Sequence, residues 1–252
     1  MIRLHELVAY IDNLLDTASF QDYAPNGLQV EGRIEVRKLV SGVTACQALL
    51  DAAVDAQADA ILVHHGYFWK NEDSRITGMK RRRLGRLLAN DISLLAYHLP
   101  LDAHPVYGNN VQLASALGIE VAGRFGPDNG PDIAAHGRVK AALTGDEFSK
   151  LIAAKLGREP LHVPAGSRVI RTVGWCTGAA QDYIEAAAVL GLDAYISGEI
   201  SEQTVHQARE LDIHYFAAGH HATERYGVEA LGDHLAATFG LVHQPVDIDN
   251  PV

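Results

Sequence analysis

The chain is short of sulfur and of basic charge, and it has no long apolar run. Its two cysteines, Cys46 and Cys176, lie far apart and form no CxxC pair, which removes the thiolate zinc sites. The N-terminal stretch MIRLHELVAYIDNLLD carries charges throughout, so it is expected to form an amphipathic helix and not a signal peptide, and a cytoplasmic protein with reduced thiols is expected. No segment approaches the ~20 apolar residues of a membrane helix. The net charge is −10 with histidines neutral. Broad binding to duplex nucleic acid needs a basic surface, so duplex is not an expected partner, whereas a small anionic substrate held by a metal remains open. Neither GxxxxGK[ST] nor GxSxG occurs, which excludes a P-loop nucleotidase and the commonest serine-hydrolase elbow.

The chain does have length and histidine. Its 252 residues, 48% apolar, suffice for one large α/β domain or two small ones with a packed core. Leu4, Leu7, Val8, Ile11 and Leu14/Leu15 recur at helical spacing and predict an amphipathic first helix. Thirteen histidines are an unusual number, and two of them stand side by side in ILVHHGYFWK, Ile61 to Lys70, just after three β-formers.

The chain also repeats itself. SGVTACQALLDAAVDAQADAILVHHG, from Ser41, aligns without a gap on GWCTGAAQDYIEAAAVLGLDAYISGE, from Gly174, when Asp59-Ala60 is set over Asp193-Ala194. Each copy reads as strand, turn, Ala-rich helix, turn, strand. That is a βαβ unit, with parallel strands and a right-handed crossover. His64 and His65 fall over Gly198 and Glu199. A second echo follows, in NDISLLAYHLPLDAH and LDIHYFAAGHHATER: setting His98 over His220 puts Asp102 on Glu224. A helix follows each, the later one with Val228, Leu231, Leu235 and Phe239 on one face.

The expected fold is therefore α/β, with two related βαβ-containing lobes of mostly parallel strands and a metal site at the strand C-terminal ends between them. We expect a first lobe over 1–120, a linking α/β segment over 121–171 and a second lobe over 172–252. The link opens with a loop signal, GRFGPDNGPD. A strand-like VKAAL, a helix GDEFSKLIAAKLG with Thr144 as N-cap, and a strand near PLHV follow.

In parallel α/β sheets ligands gather beyond the carboxyl ends of the strands. His64-His65, His98 with Asp102, and His220 with Glu224 are expected there. Neighbouring residues of a strand point oppositely, so Gly66 is expected to turn the chain. Nitrogen and carboxylate donors without sulfur suit Zn, Mn, Fe, Co or Ni. His220 and Glu224 share a face if the helix starts that early. His98 and Glu199 are candidate proton carriers, though Glu199 also suits an outer position or a helix cap. His104 and His221 suit outer positions. His5, His136, His162, His206, His214 and His243 read as ordinary surface or core residues, both cysteines as small packed residues, and MKRRRLGRLL as a solvated helix face that could also draw in an anion.

ILVHHGYFWK, HLPLDAH, SGEISEQTVHQARE and AAGHHATER together resemble the GTP cyclohydrolase 1 type 2 homologue family, also described as dinuclear-metal hexameric proteins. The resemblance runs from Leu4 to the DIDNP tail and is weakest over Val121 to Arg171. It implies a toroidal homohexamer with metal sites facing an internal cavity. It also implies two divalent metal ions per subunit, bound by His64, His65, Asp102, His220 and Glu224, with Glu224 bridging and His98 at a pocket position. The function expected on these grounds is a metal-dependent hydrolase of a nucleotide or related small anion. Two other readings stand beside it: a non-catalytic metal-binding or metal-delivering hexamer, and a ring that binds single-stranded nucleic acid.

Overall fold

The computed structural model describes residues 1–126 and 132–252. The chain divides into two compact units: Met1–Gly108 with Gly227–Asp249, and Asn109–Tyr226 with Asn250–Val252. Among the described residues no helix is long and apolar enough to cross a membrane.

The first unit is built on a five-stranded sheet in the order Val242–Pro245, Lys38–Thr44, Ala60–His65, Ser93–Ala96, Gly27–Val30. The first four strands are parallel and Gly27–Val30 is antiparallel. Alternate residues of each strand feed opposite faces. Leu39, Ala60, Leu62 and Leu95 join Leu4, Leu7 and Ile11 of the helix Leu4–Leu14 and Val228, Leu231 and Leu235 of the helix His220–Phe239. Val40, Ile61, Val63 and Leu94 join Leu49, Leu50 and Ala53 of the helix Gln47–Asp55, and Leu84 and Leu87 of the helix Gly78–Leu88. Covering both faces explains why these strands read as unbroken apolar runs.

The second unit has six strands in the order Ile119–Phe125, Ala134–Leu143, Ile170–Cys176, Ala194–Ser197, His214–Ala217, Leu161–Val163. Ile170–Cys176, Ala194–Ser197 and His214–Ala217 pair in parallel, and every other pairing in the sheet is antiparallel. One face carries Val173, Trp175, Ala194, Ile196 and Phe216 against Leu113, Phe148 and Ile152. The other carries Tyr195 and Tyr215 against Ile184, Ala187 and Ala208.

The internal repeat is real at the level of hydrogen bonds. Asp59 Oδ2 accepts from the amides of Arg37 and Lys38 at 2.8 and 2.9 Å. Asp193 Oδ2 accepts from those of Arg171 and Thr172 at 3.0 and 2.9 Å. Each aspartate thus holds the start of the neighbouring strand. The backbone repeats the pattern, with Asp59 N to Lys38 O matched by Asp193 N to Thr172 O, and Ser93 N to Asp59 O matched by His214 N to Asp193 O. Equating Ser93 with His214 would set His98 over Gly219, so the echo of His98 with His220 holds only after a one-residue step beyond the strand.

These carboxylates make a prediction. Burial raises the pKa of Asp193, but the Thr172 and Arg171 amides and the Thr172 hydroxyl prevail and hold it below the usual carboxylate range. A depressed folded pKa contributes stability above the unfolded value of about 3.9 and loses it as pH falls below that. Asp193→Ala and Asp59→Ala are each expected to cost about 1.5–3 kcal/mol in denaturant titrations near neutral pH, as for hydrogen bonds to a charged group. For Asp193→Ala the deficit shrinks in acid. A deficit that persists undiminished below about pH 3 would contradict this origin.

The compact units differ from the segments expected at 1–120, 121–171 and 172–252. Gly227–Asp249 belongs to the first unit, because Val228, Leu231, Leu235 and Leu241 complete the core around Leu4. The expected link is integral to the second unit, because Ala134–Leu143 pairs with Ile170–Cys176 and Leu161–Val163 with His214–Ala217. Thr144 does cap the helix Gly145–Leu156, in a reciprocal box with Glu147. Of the loop expected at GRFGPDNGPD, Gly123–Phe125 is strand, and residues 127–131 lie outside the described residues.

Candidate metal centre

In the first unit the strand Ala60–His65 runs through both adjacent histidines. His64 is fully buried. Its Nδ1 lies 2.9 Å from the carbonyl of Tyr97, and a carbonyl only accepts, so Nδ1 carries the hydrogen and Nε2 keeps its lone pair. Nε2 stands 3.4 Å from Asp102 Oδ1, itself 6% exposed. His65 Nδ1 lies 3.2 Å from the hydroxyl of Thr44 on the neighbouring strand. The His64 and His65 rings are 4.6 Å apart, and that of His98 lies 5.0 and 5.7 Å from them. The three offer ring nitrogens within 4.8 Å of one another.

Gly66 does not act as a left-handed hinge. It is a glycine for lack of room: a Cβ there would fall 2.2 Å from Gln29 Oε1 and 2.6 Å from the Ala96 methyl. Gln29 Oε1 accepts from the Tyr67 amide and its Nε2 donates to the Tyr67 carbonyl, fixing the chain just beyond His65. Asp102 is delivered by the short helix Leu99–Ala103, which begins with Pro100 in its first turn.

In the second unit the helix His220–Phe239 starts at His220, so His220 and Glu224 do share a face. His220 Nε2 is 3.2 Å from Glu224 Oε2 and its Nδ1 is 2.6 Å from Glu199 Oε1. Glu224 is 2% exposed. Burial lowers the His220 pKa, but hydrogen bonds and charge from Glu224 and then Glu199 prevail and raise it to about 9. Of the positions open to Glu199 in the sequence, this contact puts it at the outer one, on the Nδ1 side of His220. The helix Glu202–Glu210 is capped instead by Ser201 with Thr204. Glu199→Ala is expected to weaken metal binding by about 10–100-fold, as losing an orienting partner does, measured by competition with a chelating dye. No change would remove Glu199 from the site.

Three residues with no sequence signal of their own shape these clusters. Asp22 Oδ1 lies 2.7 Å from His98 Nδ1, and Asn26 Oδ1 accepts from the His98 amide at 2.7 Å. DYAPNG reads as a turn, and nothing in it announces a partner seventy residues on. In the second unit Gly178 (φ +68°) leaves room for the acid. A Cβ there would sit 2.2 Å from Glu224 Oε1 and 3.1 Å from His220 Nε2.

The remaining histidines have structural surroundings. His104 Nδ1 accepts from the Val106 and Tyr107 amides, so it closes a turn. His162 stacks on Phe216 and meets His214, whose Nε2 donates to Arg168 O. His243 bridges Ser41 and Asp233. His5 and His206 pair with Glu31 and Glu202 at the surface. His136 packs edge-on against Phe125. His221 is 9% exposed, its amide bonded to Val252 O. The basic helix Gly78–Leu88 is a solvated face: Arg81 and Arg82 are exposed, and Arg86 pairs with Asp51.

Compared with known proteins, the chain matches the family Duf34/NIF3 (NGG1p interacting factor 3) over residues 2–251. It is 59% identical over 250 residues to the GTP cyclohydrolase 1 type 2 homolog of Pseudomonas aeruginosa, covering 99% of each chain. Its fold is similar to that of the protein ybgI, described as of unknown function, with TM-score 0.96, 51% identity and both chains fully covered. TTHA1606 from Thermus thermophilus is similar at TM-score 0.87 and 32% identity, again over the whole of both chains.

Proposed function

The chain belongs to the Duf34/NIF3 family, and on that premise we propose that it is a metal-dependent hydrolase of a nucleotide or related small anion. Its divalent ions would be held by His64, His65, Asp102, His220 and Glu224, with Glu224 shared. The name of its Pseudomonas relative, GTP cyclohydrolase 1 type 2 homolog, supports hydrolysis of a nucleotide-like substrate only by analogy. The observation that carries the reading is chemical and occurs in each unit by itself. An imidazole, buried at His64 and half-buried at His220, turns Nε2 toward a buried carboxylate, His64 to Asp102 at 3.4 Å and His220 to Glu224 at 3.2 Å. In each case Nδ1 is engaged by another oxygen, the Tyr97 carbonyl or Glu199. Metal-binding histidines are held in this way, with the second nitrogen fixed by an oxygen.

The donors are neutral nitrogens and anionic oxygens, which fit Zn, Mn, Fe, Co or Ni. Such ions supply an activated water and stabilise a developing oxyanion. The chain's own residues do the rest. The Tyr97 carbonyl and Glu199 hold His64 and His220 in their ligating orientation. Thr44 steadies His65. His98 carries the proton, with the open nitrogen of its ring beside those of His64 and His65. Trp69 closes over this group, its ring 5.1 Å from His98 and 5.9 Å from His65. We assign the working form to a homohexamer.

Metal analysis of protein purified without added metal should find about two ions per chain, the number a dinuclear hydrolase needs, and fewer in His64→Ala and Glu224→Ala. Nucleotides and model phosphodiesters then test turnover. Activity that needs both the metal and Asp102 supports the reading; wild-type protein that holds metal and turns over none of them favours the metal-delivery alternative. Mass measurement in solution checks the hexamer.

A further inference from the structure

His98 is held more elaborately than a residue at the edge of a pocket needs. Four donors converge on one carboxylate. Asp22 Oδ1 takes the Tyr23 amide at 2.6 Å and faces His98 Nδ1 at 2.7 Å, while Oδ2 takes the Leu99 amide at 3.0 Å and Asn26 Nδ2 at 2.9 Å. Asn26 in turn accepts the His98 amide through Oδ1. The helix Leu99–Ala103 has no side-chain cap from its own N-cap residue, His98. Its first amide, that of Leu99, is satisfied instead by Asp22, and the His98 amide just before it by Asn26, from a loop more than seventy residues earlier.

From this geometry we infer that Asp22 is a positioning residue, which locks His98 with Nδ1 protonated and leaves its Nε2 lone pair available beside His64 and His65. The inference rests on the hydrolase reading for its purpose, because a bare Nε2 can take a proton from an attacking water and return it to the leaving group. An imidazole with Nε2 already protonated could not accept one. The carboxylate is suited to the task. Burial raises its pKa, but the His98 hydrogen bond and charge, then Asn26 and the Tyr23 amide, bring it down to about 2. Asp22 is therefore ionised throughout the ordinary range and accepts only. Asn26 completes the clasp from the main-chain side, and Tyr23 and Trp69 set their rings edge-on to His98, 6.4 and 5.1 Å away.

An amide in place of the carboxylate cannot satisfy four donors. In Asp22→Asn one position becomes NH2. His98 is the one partner that can answer by moving its own hydrogen, so its tautomer is expected to switch to Nε2–H.

The test is the 15N spectrum of the full chain labelled at histidine and stripped of metal, with the His98 signals identified by their loss in His98→Gln. The wild type should show a protonated Nδ1 and a bare Nε2. Asp22→Asn should show the reverse, and Asn26→Ala, which leaves the Asp22 carboxylate in place, should keep the wild-type tautomer. A wild-type His98 protonated at Nε2 overturns the inference without any variant, as does an unchanged tautomer in Asp22→Asn or a switch in Asn26→Ala. In the metal-dependent assay Asp22→Asn should lose about 10²–10⁴-fold in turnover, the range of general acid–base catalysis, with metal content unchanged. Unchanged turnover also overturns it. The spectrum needs neither metal nor substrate. A chain that holds no metal yet shows the tautomer switch would sink the hydrolase reading and leave the Asp22–His98 lock standing.

Discussion

Gly178→Ala is expected to strip the His220–Glu224 half of the site of its metal while costing the fold only about 1–2 kcal/mol, the penalty of placing an L-residue in a left-handed conformation. Gly178 sits at φ +68°. The added methyl carbon would fall 2.2 Å from Glu224 Oε1 and 3.1 Å from His220 Nε2. One partner has to move, and the glycine cannot. Its amide donates to the Thr223 hydroxyl, and its carbonyl takes both the Ser197 hydroxyl and the Gly198 amide. The acid therefore gives way, and it does so inside a site where it is 2% exposed. A displacement of this size removes a carboxylate from any ion it held. Gly191→Ala separates strain from displacement. Gly191 has nearly the same φ, +69°, but nothing within 4 Å of the added carbon, so this variant should lose similar stability and keep its metal. Metal analysis and denaturant titration of both variants decide the matter. Equal metal content in the two would show that Glu224 is not a ligand.

Gly178 also marks where sequence reading stops. The repeat was legible because it is local. A βαβ unit keeps its period over some thirty residues, and Asp59 and Asp193 fall into register because each ties together strands close in the chain. The same holds for His220 with Glu224, four residues apart on one helix turn, and for Thr144 with Glu147. What was hidden is long-range. Asp22 and Asn26 reach His98 across more than seventy residues, through a loop whose letters spell only a turn. Gly66 is adjacent to His65, yet its reason for being glycine lies in the side chains of Gln29 and Ala96. The helix His220–Phe239 was legible as an apolar stripe of Val228, Leu231 and Leu235. That the stripe completes the core of the N-terminal helix follows only once the chain has returned to the first sheet. Strand pairing has the same limit: Leu161–Val163 is legible as a strand near PLHV, but its partner, His214–Ala217, is not.

Removing metal should destabilise the chain by an amount that grows with pH. Ligand-linked stability at 100–1,000 times the dissociation constant is about 2.7–4.1 kcal/mol per site, so the stripped protein should denature well before the loaded one. The pH dependence comes from His220. In the metal-free chain burial lowers its pKa, but Glu224 and Glu199 overcome that and lift it to about 9. A raised folded pKa gives stability that is fully present below the unfolded value of about 6.5 and is lost as pH rises through about 9. At about pH 6 the protonated imidazole therefore offsets part of the buried acid charge that a metal would otherwise neutralise, and an incoming ion has to displace that proton. Toward pH 9 the proton leaves by itself: the stripped chain weakens and metal binding no longer competes with it. Denaturant titrations of loaded and stripped protein at about pH 6 and about pH 9 should show the gap widening by about 1–3 kcal/mol, since each unit of pKa shift is worth about 1.4 kcal/mol. In Glu199→Gln, which leaves every named ligand in place, the His220 pKa loses part of its support, and the widening should shrink. A gap that stays constant or narrows with pH would mean that His220 does not meet the ion, and the second half of the proposed centre would have to be sought elsewhere in the chain.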